Sequence, residues 1–160
     1  MKIVIRLNEQ TLTLFDDEGR VLRRYPVSTA ANGAGEQAGS FCTPRGRHIV
    51  RARIGAGQPL GAVFRARRPT GEIYTPLMGE AEPERDWILT RILWLSGKEP
   101  GFNRLGECDT MRRYIYIHGT PDEHFEQAPR SHGCIRMRNA DVAELFDLVP
   151  PYTEVDIVEG

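Results

Sequence analysis

The chain has 160 residues, with 21 Lys and Arg against 22 Asp and Glu, a formal net charge of -1, 40% apolar and 27% charged residues, 16 Gly and 11 Pro. That length suits one domain, residues 1–160, and the mixture excludes a wholly disordered, collagenous or coiled-coil chain. The balanced charge offers no single-sign field for nucleic acid, and the longest apolar runs, such as Ile92 to Leu95, fall far short of the roughly 20 residues a spanning helix needs, so neither nucleic acid nor membrane is an expected partner.

In chain order, Ile3, Ile5 and Leu7 alternate with Lys2, Val4 and Arg6, and a second alternation carries Leu12 and Leu14 before the polar turn Asp16 to Gly19. With Val21 to Val27 these predict a β-meander. Arg6, Asn8 and Glu9 interrupt the apolar core of about 7–15 residues that a signal peptide needs, which predicts a cytoplasmic protein, or a periplasmic one if a leader has been trimmed. Gly and Ala crowd Asn32 to Gly39, a lid over a cleft or a plain hairpin loop. Pro44 and Gly46 mark a turn before a β-type run, His48 to Ile54. Residues 55–83 contain nine Gly or Pro and predict a long surface excursion, in which Arg65 to Arg68 read as a solvated cluster.

Trp87 to Leu95 and Arg113 to His118 predict core strands, the second with Tyr114, Tyr116 and His118 on one face and Ile115 and Ile117 on the other. Val142, Leu145, Phe146 and Val149 then follow helical spacing, with Asn139 as the N-cap and Pro150-Pro151 as the stop. Thr153 to Val158 returns to strand character. Many strands and one helix, at about 140–149, predict a mostly β fold, a barrel or sandwich with a helical appendage. Cys42, Cys108 and Cys134 are odd in number and widely spaced, which predicts reduced thiols.

Chemistry concentrates between His118 and Arg136. A cysteine thiol with its usual pKa near 8.5 is only a few per cent thiolate at pH 7, so a nucleophilic Cys134 needs an imidazole, and either His118 or His132 can supply one. A strand ending at His118 and the twelve-residue loop Gly119 to Arg130 can return Cys134 beside it. Gly133 lacks a Cβ, so a reacting carbonyl can approach the amides of Gly133 and Cys134 as an oxyanion hole. Arg136 offers a donor fork for a substrate carboxylate, and Ser131 can orient a neighbour or contact substrate. The alternative is a buried free cysteine beside two loop histidines. Zinc binding is disfavoured because His132-Gly133-Cys134 lacks paired-ligand spacing, so no metal and no cofactor are expected.

His118-Gly119-Thr120, the gap, and Ser131-His132-Gly133-Cys134-Ile135-Arg136-Met137 together resemble the signature of the L,D-transpeptidase catalytic-domain family. Weaker echoes lie in Tyr25 to Thr29, Thr43 to Gly46 and Asp141 to Phe146, while Glu126-Gln127 replaces a common Leu/Ile-Gly pair. The resemblance implies the β-sandwich or barrel-like fold of that family. It also implies a cysteine that attacks the bond between the third residue of a murein stem peptide, meso-diaminopimelate or Lys, and a terminal D-alanine. Carried over, Cys134 is the nucleophile, His118 its base, Gly119 the orienting carbonyl, the amides of His132 to Cys134 the oxyanion site, and Arg136 a substrate contact. The expectation is an L,D-carboxypeptidase trimming murein tetrapeptides in cytosolic recycling, as a monomer. Alternatives are an exported transpeptidase or, further off, a murein-fragment binding module.

Overall fold

The computed structural model describes all 160 residues. Its ten strands are β1 (Lys2–Arg6), β2 (Thr11–Phe15), β3 (Val21–Pro26), β4 (Gly46–Ile54), β5 (Ala62–Arg65), β6 (Arg68–Ile73), β7 (Ile88–Gly97), β8 (Tyr116–Gly119), β9 (Ile135–Met137) and β10 (Glu154–Val158). Two helices join them, α1 (Pro76–Ala81) and α2 (Asn139–Leu148). The sheet runs β3-β2-β1-β10-β4-β7-β5-β6, with β8 on the other edge of β7 and β9 beyond it. Only β1 with β10 and β8 with β9 pair in parallel.

The alternation read from the sequence becomes burial. Ile3, Ile5, Leu12, Leu14, Val155 and Ile157 enter one large core, and Val142, Leu145 and Phe146 of α2 close it against β7 and β8. Each fully buried aliphatic of this kind contributes about 1.5–3 kcal/mol relative to exposure, which is why a ten-residue helix with little intrinsic stability holds its place.

Three expectations need correction. The surface excursion 55–83 carries regular structure, the hairpin β5–β6 and α1: β6 is exposed throughout, while Ala62, Val63 and Phe64 are apolar enough to be buried against β7. The fold therefore has two helices rather than one. The strand expected from Arg113 starts only at Tyr116, since Asp109 to Tyr114 forms turns and Tyr114 has φ of 58° with its ring exposed. Finally, Arg138 rather than Asn139 is the N-cap of α2; Asp122 accepts the Asn139 amide at 3.1 Å and caps the helix from a distant loop.

His48 on β4 is fully buried, with Nδ1 3.0 Å from Gly46 O and Nε2 2.9 Å from Thr110 Oγ1. Burial pushes its pKa from 6.5 down to about 4. Between those values the unfolded chain binds more protons than the folded one, so the stability this histidine holds at neutral pH drains as pH falls through the window, by about 3 kcal/mol in all. Thermal unfolding is expected to move to lower temperature from pH 6.5 to 4, and less steeply in His48→Gln. An identical slope in the variant would assign the acid loss to other groups.

Candidate active site

Strand alternation divides the pair β8–β9. Ile117, Ile135 and Met137 point into the core, so Tyr116, His118, Cys134 and Arg136 share the opposite face. The parallel register sets His118 beside Arg136. Opposite them β7 bulges, its register shifting between Leu89 and Ile92 with Thr90 at φ 74°. Such bulges re-aim strands, and this one brings the Leu89 carbonyl against Gly119.

His118 is wholly buried, and its Nδ1 donates to Gly119 O at 2.7 Å, the orientation expected of that carbonyl. That bond fixes the tautomer and leaves Nε2 as the acceptor, a buried atom with no protein partner. Burial lowers the His118 pKa, opposed by the Asp86 charge and the Gly119 carbonyl. Cys134 is half-buried against Ala62, Phe64, Ile92 and Tyr116. Its sulfur accepts from Tyr116 N–H at 3.4 Å and lies 3.4 Å from Tyr114 O, to which the thiol donates. Cys134 and His118 thus share a face and a strand pair without a hydrogen bond between them. Burial pushes the thiol up to about 12; the Tyr116 amide, Arg136 and Arg113 act against it, while Asp86 adds to it.

The turn before Cys134 departs from expectation. Ser131, read above as orienting a neighbour or contacting substrate, is 1% exposed, and its hydroxyl donates to Cys134 O at 2.6 Å while accepting from Gly133 N–H at 3.2 Å. It builds the turn, and it occupies the Gly133 amide that the sequence reading gave to the oxyanion. The Cys134 amide has no protein acceptor and remains the donor of that pair. Gly133 is there for conformation: its φ is 130°, and a methyl group on it would lie 3.1 Å from Ile115 Cδ1 and 3.2 Å from Cys42 O. Thr43 Oγ1 donates to Gly133 O at 2.9 Å and accepts from Ala30 N at 3.0 Å. His132 is exposed and packs edge-on against Phe41, ring centroids 5.8 Å apart.

Arg136 faces a cleft of about 490 Å³ whose walls include Asp86, Trp87, Pro121, His124 and His132. Its Nη2 donates to Asp86 at 3.1 Å, and its buried Nε has no partner. Asp86 was not singled out from the sequence, and neither was Asn139 as a site-building residue. The Asn139 amide donates to Thr120 O at 2.9 Å, accepts from Thr90 Oγ1 at 2.5 Å and so ties the β7 bulge to the end of β8. Arg67 was placed in a solvated cluster, yet its guanidinium lies 4.9 Å from the ring centres of both Trp94 and Tyr114 and donates to Tyr116 Oη at 3.0 Å. The 32–39 loop is tied down rather than free, through Gly35 N to Thr43 O, Ala38 N to Glu107 O and the two-pronged Arg45–Glu36 pair. At the unusual Glu126-Gln127 pair, Gln127 donates to Gln10 O and Glu126 pairs with Arg130, anchoring that loop to the meander. The three cysteines are unpaired.

The family profile for the L,D-transpeptidase catalytic domain (YkuD) matches residues 1–157. The chain belongs to the L,D-transpeptidase catalytic-domain family. No match was found among curated proteins. Among solved structures it is similar to an L,D-transpeptidase from Xylanimonas cellulosilytica, with 22% identity, a TM-score of 0.56, and 98% of this chain aligned to 59% of that one. It is similar too to an L,D-transpeptidase from Mycobacterium smegmatis, at 22% identity and TM-score 0.53, covering 97% of this chain and 57% of that one. A mutant L,D-transpeptidase from Enterococcus faecium gives 16% identity and TM-score 0.57, covering 98% and 48%. At these identities the likeness is one of fold, and this chain spans between about half and three fifths of those proteins' length.

Proposed function

We propose that the chain is a cysteine-dependent peptidoglycan-modifying enzyme that opens the bond between the L-centre of the third stem residue and the terminal D-alanine of murein tetrapeptides. The observation that carries this is the face shared by Cys134 Sγ and His118, whose Nδ1 is held by Gly119 O while Nε2 stays free to accept a proton. On attack, the thiol proton passes to Nε2, the sulfur bonds the carbonyl carbon, and the Cys134 amide donates to the oxyanion. The imidazolium then protonates the leaving amine, D-alanine departs and a thioester remains. Arg136, bonded to Asp86, exchanges that carboxylate for one of the substrate. Meso-diaminopimelate suits the cleft, since its side chain carries both charges and Glu80 and Glu84 line the walls beside Arg85 and Arg136.

Water resolving the thioester yields a tripeptide, the L,D-carboxypeptidase of cytosolic recycling expected above. An amine resolving it yields a cross-link. The amine reading is supported by a second recess of about 250 Å³, lined by Ala31, Asn32, Phe41, Ser131 and His132, which meets the larger one at His132, although Cys134 lines neither.

Purified protein incubated with a diaminopimelate tetrapeptide, with and without an amine acceptor, separates these readings by mass spectrometry. Loss of D-alanine with acceptor adducts is the expected result for transfer. Tripeptide alone in both arms establishes the carboxypeptidase and places the second recess outside the reaction, and an unchanged tetrapeptide in both arms overturns the catalytic reading.

A further inference from the structure

Arg113 lies in the turn before β8, and neither the motif nor the cleft involves it. Its guanidinium is half-buried and reaches back across the 33–43 loop. Nη2 donates to Cys42 O at 2.7 Å and Ser40 Oγ at 3.4 Å; Nη1 donates to Gly35 O at 3.2 Å and Glu36 O at 3.3 Å. All four acceptors are neutral. The titratable groups facing it are, in order, the Cys42 thiol, Glu36 and the Cys134 thiol, and Glu36 spends both carboxylate oxygens on Arg45, at 2.9 and 3.0 Å. Arg113 forms no ion pair of its own, so its charge is left uncompensated inside the fold, an arrangement that costs stability unless something nearby benefits.

What lies nearby is the turn that ends in Cys134. A methyl group built on Gly133 would sit 3.9 Å from Arg113 Nη2, and 3.2 Å from the Cys42 carbonyl that this same nitrogen holds. We propose that Arg113 is a positioning residue of the acyl-transfer site: it clamps the 33–43 loop against Gly133 and holds a fixed positive charge beside the turn, which favours negative charge on Cys134 Sγ and on the oxyanion at the Cys134 amide. The other charged and titratable groups facing the sulfur are Arg136 on β9, which acts in the same sense, Asp86 from the connection before β7, which opposes, His118 on the same face of β8, whose pKa burial lowers, and Tyr116 on β8, its hydroxyl held by Arg67. Burial raises the thiol and Asp86 adds to that; the Tyr116 amide and Arg136 act against them first, and Arg113, the cation without a carboxylate partner, adds to their effect. The field of a fixed charge in a partly desolvated site needs no reorganisation when the attack occurs.

The inference rests on Cys134 being the nucleophile, so its test reads the sulfur directly and needs no murein. Alkylation of each cysteine by iodoacetamide is followed by peptide mass spectrometry between pH 7 and 9 in the wild type, Arg113→Gln and Arg113→Lys, with Cys108 as the internal reference. Arg113→Gln is expected to slow Cys134 about tenfold, as a rise of one pH unit in its titration would, while Arg113→Lys stays within about threefold of the wild type. Loosening of the loop without a charge effect would speed alkylation, so the sign separates the two roles. An unchanged or faster rate in Arg113→Gln overturns the proposal, as does an equal loss in Arg113→Lys. If Arg113→Gln fails to fold by circular dichroism, Arg113→Met takes its place, keeping the long apolar stem without the charge: slower alkylation of Cys134 is again expected, and an unchanged or faster rate overturns the inference.

Discussion

Cys134→Ala is expected to abolish release of D-alanine from a murein tetrapeptide, and His118→Gln to slow it by about 10²–10⁴-fold while leaving Cys134 open to alkylation. The two losses differ because their roles differ. Without Cys134 no thioester forms. Without the imidazole the sulfur can still attack, but its proton has no acceptor in place, since Nε2 of His118 is the one atom on that face with a free lone pair held in orientation by Gly119 O. Burial lowers the imidazole pKa and lifts the thiol to about 12, so at neutral pH the resting pair is a neutral thiol and a neutral imidazole rather than an ion pair. Activity therefore requires the unprotonated imidazole, and the acid limb of kcat/KM is expected below pH 6.5, where His118 at last takes up a proton. Stopped-assay rates across pH 4.5–8 check this; an acid limb above pH 7 would mean that His118 is not the base.

Gly119→Ala is the second large effect, and it acts on folding and chemistry together. A methyl group at residue 119 would overlap Asn139 Oδ1 and lie 2.6 Å from the Leu89 carbonyl. The first atom is held by Thr90 and the second belongs to the bulged backbone of β7, so neither can yield cheaply. A loss of about 3 kcal/mol is expected, which for a chain of this size lowers Tm by roughly 6–12 °C. The same displacement moves the carbonyl that orients His118. The folded fraction at 25 °C is therefore expected to lose at least tenfold in kcat/KM beyond what unfolding explains, read by pairing calorimetry with the D-alanine assay. A variant with lowered Tm and full specific activity would show that the carbonyl tolerates displacement.

Local rules reached different depths at different residues. The alternation of Ile3, Ile5, Leu12, Leu14, Ile115 and Ile117 and the helical spacing of Val142, Leu145 and Phe146 predict burial correctly, because one buried face imposes its period on the chain. The hairpin and helix inside the excursion 55–83 are not legible in the sequence because nine Gly and Pro mark turns equally well between short strands and in loops, and only the apolar Ala62–Phe64 signals the hairpin. Asn139 carries a helix-start signal that a distant Asp122 takes over, freeing its amide to bridge Thr90 and Thr120. Ser131 has the chemistry of a substrate contact and the placement of a turn builder. Its hydroxyl has two neighbours three residues away or less, and local partners win when the turn brings them within reach.

The sequence by itself determined the family, the strand-rich fold and a helix near 140–149, and it offered Cys134 and His118 as the candidate pair, since motif spacing and periodicity are local properties of the chain. Tertiary structure alone decided that β8 and β9 lie parallel and adjacent, that Asp86 meets Arg136 from fifty residues upstream, and that Arg113 reaches Cys42 across seventy-one positions. Alternation states which face a residue takes but never which strand will lie beside it. Partnerships between distant residues arise only when burial of the common core repays the entropy of closing the intervening loops.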